Sequence, residues 1–168
     1  MFIVDVQGFQ YGEYTFLCKE ISILNTINGN HQHSFIKMPI NLRMCDFKTK
    51  NLINWSTNHL HGLEFNLENY CLNYEEISSF LTKFITANRT EDDIVVAVKG
   101  IEKRKWLNRL LAGYDVIDLN NMEYPTFEHL KTIFKSFHCN KHLLNNLNCT
   151  LENVFNLYNW CKYCVKDQ

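Results

Sequence analysis

No stretch of this 168-residue chain is apolar for long enough to span a bilayer as a helix, and its start has no basic segment leading into a cleavable apolar one. Together these absences point to an intracellular protein that stays off membranes. Neither sign of charge is in excess: 17 Lys and Arg face 18 Asp and Glu, for a formal net charge of −1. Such balance carries no global signature of a nucleic-acid binder, so any phosphate contact has to come from a local patch. Internal repeats, low-complexity tracts and linkers are missing too, and one domain over residues 1–168 is the simplest organisation. Disorder is excluded by a hydrophobic fraction of 46% and an aromatic fraction of 14%.

An even cysteine framework is also absent. Seven cysteines in an intracellular chain read as buried thiols plus metal ligands rather than as disulfides. Asn54-Trp-Ser56, Asn88-Arg-Thr90 and Asn148-Cys-Thr150 match glycosylation sequons, which without a secretion signal are chance matches in an Asn-rich chain.

What is present starts with alternating apolar runs. Phe2 to Gly8 (FIVDVQG) reads as a first strand, with Gly8 and Gly12 marking the turn after it. Thr15 to Leu24 reads as a second, its two-residue period placing Phe16, Cys18, Glu20 and Ser22 on one side. Asn28, Gly29 and Asn30 supply turn chemistry, and His33 to Lys37 gives a third strand stopped before Pro39. Arg43 to Glu68 has no sustained periodicity and reads as loop with short helical pieces. Helical spacing returns over Tyr74 to Ala87. A buried-type strand at Ile94 to Val98, a helix over Lys103 to Leu111 and a strand at Val116 to Leu119 then form a parallel crossover. Thr126 heads a further helix, and Thr150 or Leu151 begins the last. This order predicts an α/β fold of the ribonuclease H-like kind: a mixed five-stranded sheet, a three-strand antiparallel meander plus two parallel strands, flanked by helices.

The main chemical motif is Cys139-x2-His142-x6-Cys149. Zinc takes four N, S or O donors in a tetrahedron, and Cys139 and His142 are near enough in sequence to grip one ion while Cys149 returns from the start of the last helix. The alternative is two ordinary buried thiols and a surface histidine. Cys161-x2-Cys164 is weaker, because in a helix such a pair reads as one core and one surface thiol. Lys99, Lys103, Arg104 and Lys105 form the one obvious basic patch, either a phosphate-binding set or a solvated helix N-terminus that Glu102 dilutes. Asp5 reads as a leftover metal ligand or as a carboxylate hydrogen-bonded to a loop. His31 and His33 face opposite ways in a strand and make poor joint ligands. His61, before Gly62, reads as a general acid/base or as a packing anchor.

HSFIKMP (His33 to Pro39), His61-Gly62-Leu63 and IVVAVKG (Ile94 to Gly100) fall in the order and spacing of DnaQ-like, DEDDh-type 3′–5′ exonucleases, which the chain resembles over roughly residues 2 to 160. The resemblance does not bring the catalytic set with it. Asp5 matches the opening Asp-x-Glu, but Gln7 stands in place of the glutamate. The next aspartate falls near Lys103 or Arg104, and the closing His-x4-Asp looks like Cys149 followed by Asn153. One carboxylate of four is too little charge for two hard divalent ions, so two-metal exonuclease activity is not expected.

The chain more closely resembles the Maelstrom domain, a DnaQ-related branch of the piRNA pathway with a Glu-His-His-Cys-His-Cys pattern. The matching residues here are Glu20, His33, His61 (or His59), Cys139, His142 and Cys149. That resemblance implies a structural zinc ion on Glu20, Cys139, His142 and Cys149. It further implies engagement of single-stranded RNA, by binding or by weak endoribonuclease cleavage, in small-RNA and transposon silencing, with a silencing-pathway protein as a possible partner. The chain departs from the family in lacking an HMG box, in its shortness and in its poorly matched middle. Two other readings remain: a catalytically dead protein-interaction scaffold, and a divergent exonuclease using Asp5, Glu20 and Glu102.

Overall fold

A computed structural model describes residues 1–12, 15–66, 71–90, 94–135, 138–143 and 148–166, with side chains described as far as Tyr163. Three long strands open the chain: β1 (Phe2–Tyr11), β2 (Thr15–Asn25) and β3 (His31–Ile36). They are followed by α1 (Phe47–Ser56), the short β4 (Cys71–Leu72), α2 (Ile77–Asn88), β5 (Val95–Val98), α3 (Ile101–Leu110), β6 (Asp115–Asp118), α4 (Phe127–Ile133) and α5 (Thr150–Lys166). The strands form one open mixed sheet in the order β4-β3-β2-β1-β5-β6. β1, β2 and β3 pair antiparallel, while β5 lies parallel to β1, β6 to β5 and β4 to β3.

Helices cover both faces. On one, α2 and α3 send Leu81, Phe84, Ile85, Trp106 and Leu107 against Val4, Val6, Ile21 and Ile23. On the other, α4 and α5 bury Leu130, Val154 and Leu157 on Ile3, Leu24 and Ala97. A fully buried aliphatic side chain of this kind contributes about 1.5–3 kcal/mol, which is why the doubly covered β1 is the centre of the fold. Among the described residues no helix is long and apolar enough to cross a membrane.

The structure departs from the sequence expectations at three places. The sheet has six strands instead of five, because Cys71–Leu72 adds a two-residue edge strand to β3 that is too short to show alternation. The stretch read as loop with short helical pieces contains the ten-residue α1, which buries Thr49, Ile53 and Ser56 while Phe47, Leu52 and Trp55 face outward, so its apolar residues do not gather on one face. Its tail, residues 67–68, lies outside the described residues.

Third, Phe16, Cys18, Glu20 and Ser22 do not share one side. Gln7 pairs with Glu20 but Gly8 pairs with Cys18, so Lys19 is an extra residue in β2 and the faces exchange there. Cys18 consequently packs with Ile21 and Ile23, whereas Glu20 and Ser22 face α5. The Lys19 ammonium is buried and donates to the Ile36 carbonyl at 3.0 Å. The bulge also brings the Leu17 carbonyl so close to Gly8 that a Cβ there would sit 2.0 Å from its oxygen. Gly8→Ala is expected to cost about 3 kcal/mol, read as a lowered denaturation midpoint in urea; an unchanged midpoint would contradict this packing.

Candidate metal centre

The bulge places Glu20 where it can meet residues from the far end of the chain. Its carboxylate is fully buried, and Oε2 accepts the backbone N–H of Thr150 at 3.1 Å, at the first turn of α5. The positive end of the helix favours a carboxylate at this point. Oε1 lies 3.3 Å from His142 Nε2, 3.5 Å from Cys139 Sγ and 3.7 Å from Cys149 Sγ. These four donor atoms all lie within 4.8 Å of one another, and among the described residues they form the one such group of three or more His, Cys, Asp or Glu side chains.

The three distances from Oε1 suit edges of a tetrahedron. Zinc–sulfur lengths of about 2.3 Å and zinc–nitrogen or –oxygen lengths of about 2.0 Å give donor-to-donor edges of roughly 3.3–3.8 Å. Three of the contacts around Oε1 fall in that span, and one carboxylate oxygen would otherwise have to accept hydrogen bonds from all three groups at once.

The outer groups fit as well. His142 Nδ1 donates to the carbonyl of His61, which leaves Nε2 as the ligand atom and fixes the ring. His33 Nε2–H donates to Glu20 Oε1 at 2.9 Å. The Cys139 backbone N–H points at Cys149 Sγ, 3.4 Å away. The loop carrying these residues is zipped to the five-residue π turn Thr57–His61 that follows α1. Leu143 N–H donates to the Gly62 carbonyl at 2.9 Å, and Asn148 N–H to the Leu60 carbonyl at 3.0 Å. Gly62 ends that turn at φ 65°, a left-handed conformation that suits glycine.

The electrostatics call for a cation. Burial pushes the Glu20 pKa up, but hydrogen bonds from His142 and His33 overcome it and hold it at about 2. Burial works against charge on His142, yet Cys149 and Glu20 raise its pKa to about 10. The hydrogen bond from Cys139 pulls the Cys149 thiol down to about 4, while Cys139 itself is pushed up by that bond and by burial. Carboxylate and thiolate thus favour positive charge at this point, and a divalent ion would supply it.

His61 and His33 therefore belong to this site without being ligands in it. His61 Nδ1 accepts from Leu63 N–H at 3.1 Å, so Nε2 carries the proton and donates to the Gly8 carbonyl at 3.0 Å. Burial lowers its pKa to about 4. Both ring nitrogens are thus engaged by backbone groups, as in a packing anchor. His59 is exposed, with Nδ1 against the Trp55 carbonyl at 3.0 Å. Cys161 Sγ lies 3.1 Å from the Tyr124 hydroxyl, and the Cys164 side chain lies outside the described residues.

Asp5 belongs to a separate arrangement on the same face. It is fully buried, its Oδ1 takes the Lys103 ammonium at 2.5 Å and its Oδ2 takes Asn153 Nδ2 at 2.8 Å. Burial raises its pKa against the opposing pull of Lys103 and Asn153. An internal ammonium and an amide thus occupy the carboxylate's oxygens. Glu102, exposed and paired with Lys105 at 2.8 Å, is not part of this group. Asp5, Glu20 and Glu102 form no metal-holding group among the described residues.

Each cation of the basic patch has a partner within the chain. Lys99 Nζ donates to Asn120 Oδ1 at 2.6 Å and to the Tyr124 carbonyl at 3.0 Å, and Arg104 Nε donates to the Val116 carbonyl at 2.8 Å. Lys103 is turned inward to Asp5, which leaves Lys105 as the most exposed of the two lysines on that helix turn.

What sequence reasoning missed here is the pair of outer contacts. The His61 carbonyl acts through backbone, which no side-chain pattern announces, and Lys103 finds Asp5 98 positions away. Compared with known proteins, the chain matches no family model and no curated protein.

Proposed function

We propose that this chain is a zinc-stapled, ribonuclease H-like domain of the Maelstrom-like kind, one domain over its length, that engages single-stranded RNA in small-RNA silencing inside the cell. The observation carrying the zinc part is the convergence of Cys139, His142 and Cys149 on one oxygen of Glu20 at tetrahedral edge distances. Two thiolates, an imidazole and a carboxylate suit zinc better than magnesium or calcium, which take oxygen ligands. With four protein donors the ion holds the loop and α5 to β2 and offers no open position for a reacting water.

Supporting a hydrolytically silent reading, Asp5 is already paired with Lys103 and hydrogen-bonded by Asn153. RNA engagement rests on the Maelstrom resemblance alone. It takes the form of binding, with weak single-strand cleavage as the catalytic activity that resemblance brings; Lys99, Lys103, Arg104 and Lys105 are its proposed contacts. The internal partners of those four residues favour the second reading, a protein-interaction scaffold.

Fluorescence anisotropy with a labelled single-stranded RNA separates the readings. Under the first, the RNA binds with an affinity that falls steeply as salt rises from about 50 to 200 mM, and Lys105→Glu weakens it. No binding at low salt leaves the scaffold. Magnesium-dependent shortening from the 3′ end, abolished by Asp5→Ala, would instead overturn the silent reading.

A further inference from the structure

α1 presents apolar side chains to solvent where a helix that only packs would carry charge. Its inner side is Thr49, Ile53 and Ser56. Outside, Phe47 is 79% exposed, Trp55 52% and Leu52 39%, and Met44 in the turn before the helix is 84% exposed. Phe47 and Trp55 lie eight positions apart on one face, with Leu52 beside Trp55. Trp55 is held in place, its ring stacked on His59 at 5.4 Å.

The surroundings are positive. Between residues 37 and 66 the chain has Lys37, Arg43, Lys48 and Lys50 against Asp46 and Glu64, in a chain whose net charge is −1. Asp46 is occupied as the helix cap, its carboxylate accepting the Thr49 N–H at 2.6 Å. Arg43 and Lys48 are exposed, and Lys37 and Arg43 flank an adjoining groove with Met38, Ile40 and Phe65.

We propose that this face is a docking surface for an acidic amphipathic helix of a partner protein. The partner's apolar stripe would lie over Phe47, Leu52 and Trp55, and its carboxylates would meet Arg43 and Lys48. Aromatic anchors, methionine and arginine are the side chains that interface centres favour. Single-stranded RNA fits less well: one face of Trp55 is already covered by His59, and Met44 and Leu52 offer bases no stacking plane. The inference depends on neither the zinc nor the RNA reading.

The test uses a displayed library of helical peptides with apolar residues at i, i+3, i+4 and i+7 and Asp or Glu elsewhere, beside a matched Lys-rich library, with the intact chain as bait. The enriched acidic peptides are then titrated against wild type, Phe47→Ser, Trp55→Ser and Lys48→Glu. These exposed changes leave folding intact, which a melting curve checks. The expected result is enrichment of acidic peptides only. Binding should be at least tenfold weaker in Phe47→Ser and Trp55→Ser, and several-fold weaker in Lys48→Glu. The proposal is overturned if no acidic peptide is enriched, if Lys-rich peptides do as well, or if binding ignores the three substitutions. It is also overturned if oligouridylate or anionic vesicles, and not peptides, show the dependence on Phe47 and Trp55.

Discussion

Replacing Cys139 with serine is expected to release the metal and lower the melting temperature by about 10–20 °C. Cys139 is one of four donors, and among the described residues the loop bearing it meets the rest of the fold at the centre itself and through the backbone contacts of Leu143 and Asn148 to Gly62 and Leu60. Loss of one thiolate removes a ligand and leaves Glu20 and Cys149 as buried anions with only His142 and His33 beside them. Structural zinc sites contribute of order 10 kcal/mol to folding of small domains. Here an extensive core exists without the metal, so a loss of about 5 kcal/mol is the reasonable scale, and each kcal/mol moves a domain of this size by about 2–4 °C. A chelator should shift wild type by the same amount and leave Cys139→Ser unmoved. Calorimetry with and without chelator checks both. A chelator-insensitive wild type would contradict the account.

Lys103→Met is expected to cost about 3–5 kcal/mol, although it removes a charge from a residue that the sequence places on a surface patch. The methionine keeps most of the length but takes the ammonium away from Asp5, which is fully buried and left with only the neutral donors Asn153 and the Val6 backbone. Breaking a buried pair by removing one partner is far costlier than removing both. Asp5→Asn combined with Lys103→Met should therefore recover most of the loss. The pair is coupled if urea denaturation shows the double variant to be more stable than Lys103→Met alone. Additive destabilisation would show that Lys103 acts independently of Asp5, for instance through its ammonium 5.7 Å from the Phe127 ring centroid.

These two groups also show where sequence ran ahead of structure and where it fell behind. Cys139, His142 and Cys149 are legible because metal ligands held on one loop keep short, regular spacing. Glu20 is 119 residues from Cys139, and only a family resemblance brought it forward. Its orientation depends on an extra residue at Lys19, which no alternation pattern reveals because both faces of β2 are buried. The antiparallel pairing of the first three strands and the later parallel crossover were readable from the alternating runs, whereas the edge strand β4 was not. α1 was legible only as short helical pieces, since Phe47, Leu52 and Trp55 point away from the core while Ile53 points in. Lys103 looked like part of a phosphate-binding cluster because charge in sequence says nothing of a carboxylate buried 98 positions away.

The central claim is a tetrahedral centre made of Glu20, Cys139, His142 and Cys149, and X-ray absorption at the zinc edge of tag-free, dialysed protein tests it most directly. The account predicts one zinc per chain with two sulfur scatterers at about 2.3 Å and two nitrogen or oxygen scatterers at about 2.0 Å. Protein free of zinc, or zinc in a shell of oxygen and nitrogen alone, would contradict it.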